Sequence, residues 1–383
     1  MRAPILLVLL SLLPVFPLAA APEPYRVLPV EMTVPVPPAP VRAGGKARLV
    51  YELHVTNLDP RAREYTLTAL DVLGVSADGH ESPLLHLAGG DLAAALSRPG
   101  APENLADKTK IGAGLRAVAF LWIDLEGPAP ATLRHRLTFH FESGDKSVDG
   151  GEVAVRTASP VVLGPPLRGG RWVAANAPSN TSDHRRAMII VDGRPRIAQR
   201  FAIDWVQLGE DGLPYHGDAK KNESWVCYGQ DLLAVADGTV ASTKDGLPLN
   251  TPLESERTVP VTLDTIAGNF VVLDLGNGLY ALYAHVLPGS LRVKTGDRVH
   301  RGQVLGLLGN TGNSDAPHLH FHVMDANQPI ASEGLPYVFA DYWLQGKAAS
   351  PDDILAGKPW KPAGPEEHRT GEIPLENDVV RFP

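Results

Sequence analysis

Cysteine is almost missing from this chain. Cys227 stands alone among 383 residues, so no intrachain disulfide can form and packing and hydrogen bonding must hold the fold together. Basic surplus is missing too: 35 Lys and Arg stand against 43 Asp and Glu, a formal charge of −8, with no long basic run. That excludes the electrostatic footprint of a nucleic-acid binder. Helix-period patterning is nearly absent from residues 181–325, no internal repeat is evident, and low complexity is confined to the proline-rich run 34–40. Beyond the N-terminal twenty or so residues no hydrophobic run is long enough to span a bilayer. What remains is a globular chain, 44% hydrophobic, with material for two or three cores.

Residues 1–21 carry Arg2, an apolar run from Ile5 to Leu18, and Ala19, Ala20 and Ala21. This is the order of a secretory signal. Pro14 and Pro17 interrupt the run and argue against its alternative, an uncleaved anchor. After cleavage no membrane span is expected. An exported protein without disulfides fits the bacterial periplasm or exterior.

Residues 25–157 alternate short β-branched runs with Gly, Pro, Asp and Asn, as in 48–55, 65–70, 117–123 and 132–140. This spacing predicts an immunoglobulin-like β-sandwich. One helix is expected at 90–96 with Asp91 as its N-cap. His54, His80, His86, His135 and His140 do not cluster and are read as structural or surface residues. Residues 158–180, with Pro165-Pro166 and Gly169-Gly170, read as a linker.

The second domain, 181–340, is predicted to be all-β, antiparallel and glycine-rich. Asp192-Gly193 between two apolar runs is a hairpin signal, and Asn277-Gly278 is a second one. If Asp192 and Gly193 are the central turn residues, partner numbers sum to 385 and His184 falls opposite Phe201, within a few residues of Asp204. Residues 208–230 read as an irregular inserted loop holding His216 and Cys227. Cys227 is taken as a packed thiol, since no Cys-His motif surrounds it. Residues 341–383 read as a tail with a short helix at 351–356 and a closing strand at 378–382.

The richest stretch is 316–322, Ala-Pro-His-Leu-His-Phe-His. Side chains alternate across an extended strand, so His318, His320 and His322 share one face and Leu319 and Phe321 the other. Imidazole is the commonest metal ligand, and i, i+2 positions can hold a ligand and a catalytic base around one ion. The approach to this strand, 309–314, is rich in turn residues.

With Ala236-Asp237-Gly238-Thr239-Val240, Tyr283-Ala284-His285, the run 296–303 and the stretch 309–321 placed in this order, residues 181–330 resemble the lysostaphin/LytM-type zinc metallopeptidases. Those enzymes cut peptide bonds in bacterial peptidoglycan. The resemblance implies a zinc ion held by a His-x-x-x-Asp pair and the second histidine of His-x-His. The aspartate maps to Asp204 and that histidine to His320. The first histidine does not map, because Arg200 occupies its position; His184 or His216 would replace it, and His184 is preferred because an ordered hairpin fixes it.

The remaining histidines, His285 and His318, would take the proton from water and steady the oxyanion. His322 stands where the resemblance leads one to expect an acidic residue, and reads either as a partner behind the ligands or as a surface residue. His300 and His368 read as solvent-facing, and Asp237, Asn277 and Asp297 as turn residues. The expected function is an exported zinc endopeptidase acting on stem or cross-link peptides of peptidoglycan. Its rivals are a catalytically inactive relative that binds and regulates a cell-wall enzyme, and a carrier barrel whose glycine turns serve packing alone.

Overall fold

In the N-terminal domain the period of two along each strand decides the layers. In Lys46–Asn57, residues Leu49, Tyr51, Leu53 and Val55 enter one core, together with Ala117, Ala119, Leu121 and Ile123 of the paired strand Arg116–Leu125. That core is closed by Tyr65, Leu67, Leu70 and Val72 of the strand Tyr65–Val75 and by Leu133, Leu137 and Phe139 of Thr132–His140. The result is two five-stranded antiparallel sheets sharing one apolar interior. The computed structural model describes residues 28–102 and 104–383; the expected signal segment, 1–21, lies outside them.

The other face of the first sheet is not solvated. Val50 joins the core of the second domain, while Val118 and Phe120 pack on Ile197 and Met188. Lys46–Asn57 is therefore buried on both faces from Arg48 onward. Arg116–Leu125 is nearly so. Arg116–Leu125 reads as a near-continuous apolar run for this reason, whereas the second face of Lys46–Asn57 buries the polar Arg48, Glu52 and His54.

The second domain is built on a twelve-stranded sheet. Its central order runs Tyr337–Lys347, Asp378–Arg381, Arg171–Ala175, Ile203–Leu208, Leu319–Met324, Leu279–Ala284, Phe270–Gly276 and Gly238–Lys244. Two expectations fail here. The presumed linker contributes Arg171–Ala175 to the middle of the sheet, and the presumed tail, besides the closing strand expected there and found as Asp378–Arg381, supplies Glu367–Glu372 and most of Tyr337–Lys347. Arg171–Ala175 is flanked so closely by Gly and Pro, and Glu367–Glu372 is so polar, that their local pattern reads as loop. Asp91 also departs from expectation, lying in the first turn of the helix Gly89–Ala95 and not capping it.

Both predicted hairpins form. Asp192 and Gly193 have φ of 50° and 73°, and Asn277 and Gly278 have 54° and 73°, the left-handed pair that a type I′ turn requires. The first hairpin pairs Ile189 with Arg196 and Val191 with Arg194, the expected register. It stops there, because 183–186 form a helical turn and 197–202 form turns, so His184 does not face Phe201. Among the described residues no helix is long and apolar enough to cross a membrane.

Candidate metal centre and catalytic cleft

Strand register assembles the centre of the site. Asp204 pairs directly with His320, and on the other side of the same strand Ala284 pairs with His320. Directly opposed residues bring their Cβ atoms to about 5 Å, so the Asp204 carboxylate meets His320 and the chain leaving the third strand delivers His285 beside them. His320 Nδ1 lies 2.8 Å from Asp204 Oδ1.

His184 arrives from outside the sheet, on the turn Asp183–Arg186. Its Nδ1–H donates to the Asn176 carbonyl at 3.0 Å, which leaves Nε2 facing Asp204 Oδ2 at 3.2 Å. Asn176, at φ 47°, also donates its Nδ2 to that oxygen at 3.0 Å. One residue so fixes both, His184 through its backbone carbonyl and Asp204 through its side chain. Nothing in the sequence singled out Asn176 beyond its place before Ala177-Pro178 in a turn-rich stretch.

Three donor atoms, one each from His184, Asp204 and His320, lie within 4.8 Å of one another. Ligand bonds of about 2.0–2.1 Å in a tetrahedral zinc site put donor atoms about 3.4 Å apart, and two nitrogens with one carboxylate are a donor set that zinc takes. The residues present fit such an ion. His216, the other candidate, is exposed and lies 3.7 Å from Asp211; it is not among the residues lining the cleft.

His285 and His318 flank this trio. A carbonyl can only accept, so each ring orients by donating Nδ1–H to the backbone: His285 to Thr311 at 2.7 Å and His318 to Ala316 at 2.8 Å. Both present Nε2 on the far side of the ring, and their centroids are 4.7 Å apart. His285 is held at φ 66°, a conformation that a non-glycine residue adopts only when its surroundings impose it. Here the imposing contacts are its N–H to Ala267 and its ring to Thr311.

His322 is buried and is not a surface residue. Its Nδ1 sits 2.9 Å from His320 Nε2, while its own Nε2 has no hydrogen-bond partner. Cys227 is a packed thiol, its Sγ 3.0 Å from the Pro317 carbonyl, and burial pushes it up to about 12. His300 is solvent-facing, and exposed His368 stacks on Trp343.

Electrostatically the site is a carboxylate ringed by imidazoles. Burial alone would favour a neutral Asp204, but His184 and His318 more than offset it and hold the carboxyl well below the usual range. Burial likewise opposes the His184 and His318 cations, and the Asp204 charge reverses the outcome, raising both. At His285 the Asp204 charge is outweighed. Burial, with His318 and His320 adding to it, holds its ring well below the ordinary histidine value.

These groups open into a cleft of about 360 Å³. One wall comes from the C-terminal segment, through Ile354 and Leu355 near the helix Pro351–Leu355. That segment is fastened to the 208–230 insertion, where the Trp360 N–H donates to the Gly212 carbonyl at 3.0 Å.

Residues 225–332 match the family model described as Peptidase family M23. Residues 225–332 are thus similar to the M23 peptidases. The matched stretch contains His285, His318 and His320; His184 and Asp204 precede it. Among relatives, the chain is 35% identical over 91 residues to the peptidoglycan DD-endopeptidase ShyA of Vibrio cholerae, covering 23% of this chain and 21% of that protein. It is 45% identical over 74 residues to the glycyl-glycine endopeptidase ALE-1 of Staphylococcus capitis, covering 18% and 20%. The chain thus spans about a fifth of the length of these relatives. Among solved structures, the catalytic domain of lysostaphin from Staphylococcus simulans aligns with 25% identity over 33% of this chain and 86% of that one, with a TM-score of 0.20.

Proposed function

We propose that this protein is an exported, zinc-dependent endopeptidase that hydrolyses peptide bonds in cell-wall peptidoglycan, with His184, Asp204 and His320 as metal ligands and His285 and His318 as catalytic groups. The observation that carries the reading is the convergence of the His184, Asp204 and His320 donor atoms within 4.8 Å, beside two histidines whose Nδ1–H groups are both committed to backbone carbonyls. The peptidoglycan endopeptidases among its relatives support the substrate class.

Zinc bound by three protein ligands keeps a fourth position for water, lowers the pKa of that water and polarises a carbonyl. The rest is the work of this chain's side chains. His285 and His318 present Nε2 to the cleft, an acceptor when the ring is neutral and a donor when it is protonated. Together they supply an acceptor for the proton of the attacking water and a donor for the carbonyl oxygen as it gains charge. The water oxygen adds to the carbonyl carbon, the C–N bond breaks, and the proton taken from water passes to the leaving amine. His322 accepts from His320 Nε2–H when His320 gives Nδ1 to the metal, which fixes that ring's tautomer.

Digestion of purified peptidoglycan by the metal-loaded protein, read as muropeptides by mass spectrometry, tests the activity. New amine and carboxyl ends within stem or cross-link peptides are expected, and their loss on chelation. A protein that carries zinc and releases no peptide ends would overturn the enzyme reading and favour an inactive, regulatory relative. The β-sandwich and the apolar cleft wall contributed by Ile354 and Leu355 would bound the peptide path.

A further inference from the structure

The turn leading into the Asp204 strand has an arginine where the resemblance calls for a ligand histidine, and that arginine is not idle. Arg200 is fully enclosed. Its Nε lies 3.0 Å from Glu52 Oε2, its Nη2 2.9 Å from Glu333 Oε2, and its Nη1 donates to the Gly334 carbonyl at 3.0 Å. Glu52 belongs to the N-terminal sandwich and points away from that domain's own core.

The second carboxylate oxygen of Glu52 serves the neighbour of His184. Arg185 Nε lies 3.4 Å from Glu52 Oε1, and Arg185 Nη2 donates at 2.9 Å to the carbonyls of both Tyr51 and Leu121. Its guanidinium lies over the rings of Phe120 and Trp122 at 5.5 and 5.9 Å. The side chains of Arg185, Arg200 and Glu52 are 0%, 4% and 3% exposed. A guanidinium makes directional fork contacts that fix orientation as well as charge.

One carboxylate therefore joins two segments that bear candidate ligands. Arg185 follows His184 directly, and Arg200 stands four residues before Asp204. When both ligands come from one strand, four residues apart, the backbone sets their spacing. Here they come from separate segments, and a third element must set it. We propose that Glu52 is a positioning residue for the metal site, holding His184 and Asp204 at ligating distance by bridging Arg185 and Arg200. This rests on the metal-site reading above. The sandwich is then a structural part of the active site, and the arginine at 200 is linked to the displaced ligand.

The test uses the full chain, stripped of metal, with zinc affinity measured by chelator competition and the ligand field read from the absorption spectrum of the cobalt(II) form. Glu52→Gln is expected to weaken zinc by about 10–100-fold, the usual effect of losing a partner that orients ligands. It should also alter the cobalt spectrum and regain activity at saturating zinc. Asp59→Asn is the control, because Asp59 pairs with Arg63 and Tyr65 inside the sandwich and touches nothing near the site; it should destabilise the sandwich and leave zinc affinity unchanged. If Glu52→Gln does not fold, Arg200→Lys, which keeps the charge and loses the fork, must give the same weakening. Wild-type zinc affinity and cobalt spectrum in either folded variant, with His184→Ala losing zinc, would overturn the positioning role and leave the metal site standing. A wild type without stoichiometric zinc would overturn both.

Discussion

Asp204 and His320 stand opposite one another on paired antiparallel strands, and Asp204 Oδ1 lies 2.8 Å from His320 Nδ1. The ladder fixes both backbones, so the two side chains start from directly opposed positions. Asp204→Asn keeps the shape and removes the negative ligand. It is expected to purify without stoichiometric zinc, as measured by elemental analysis, while keeping a wild-type far-ultraviolet circular dichroism spectrum. One zinc per chain in this variant would remove Asp204 from the ligand set.

His184 and His216 separate in the same assay. His184→Ala should lose zinc, since its Nε2 is directed at Asp204 by the Asn176 carbonyl. His216→Ala, altering an exposed ring beside Asp211, should retain it. The reverse result would show that the loop and not the helical turn completes the site.

His285 and His318 are proposed to act on the reaction and not on the metal. Each alanine variant should keep zinc and lose about 10²–10⁴-fold in peptide-bond cleavage, the usual contribution of a positioned proton-transfer group. Zinc content and turnover measured on the same preparation check this. Wild-type turnover in either variant would exclude that residue.

The sandwich should be acid-sensitive through His135. Its Nδ1–H donates to the Gly151 carbonyl and its Nε2 accepts from Tyr51, at 3.0 and 2.8 Å, and burial lowers its pKa from 6.5 to about 4. Between those values the unfolded chain binds the proton and the folded one does not, so stability is full above pH 6.5 and falls as pH drops toward 4. The difference is about 3 kcal/mol. Urea unfolding midpoints at pH 7.5 and 4.5 should differ less in His135→Gln than in wild type. An equal difference would exclude His135, leaving His54, whose burial lowers it similarly to about 4.

Gly212 anchors the C-terminal segment that walls the cleft. At φ 81°, a Cβ there would meet the Trp360 carbonyl oxygen at 1.8 Å. Gly212→Ala should lower the melting temperature by several degrees and raise KM more than it lowers kcat. An unchanged melting temperature would refute the anchoring.

Sequence carried the all-β character well. The Asp192-Gly193 and Asn277-Gly278 turns set their registers locally, and the alternation of Leu319 and Phe321 against the histidines marked a strand before any partner was known. The unreadable parts depend on partners far away in sequence. His184 reaches Asp204 because Arg185, its neighbour, is drawn into the sandwich by a glutamate 133 positions earlier, which no local pattern carries. An extended hairpin would have brought His184 near Asp204; the backbone brings it there on the helical turn 183–186 instead. Arg171–Ala175 is a strand because it finds Ile203–Leu208 on one side and Asp378–Arg381 on the other.

That last pairing has a consequence for the order of events during synthesis. Residues 378–381 lie between 171–175 and 337–347 in the sheet, so strands made more than 150 residues apart are joined only through a segment made after both. Contacts of such long sequence separation fold slowly, so the backing of the Asp204 strand, which pairs with 171–175, is completed late in folding.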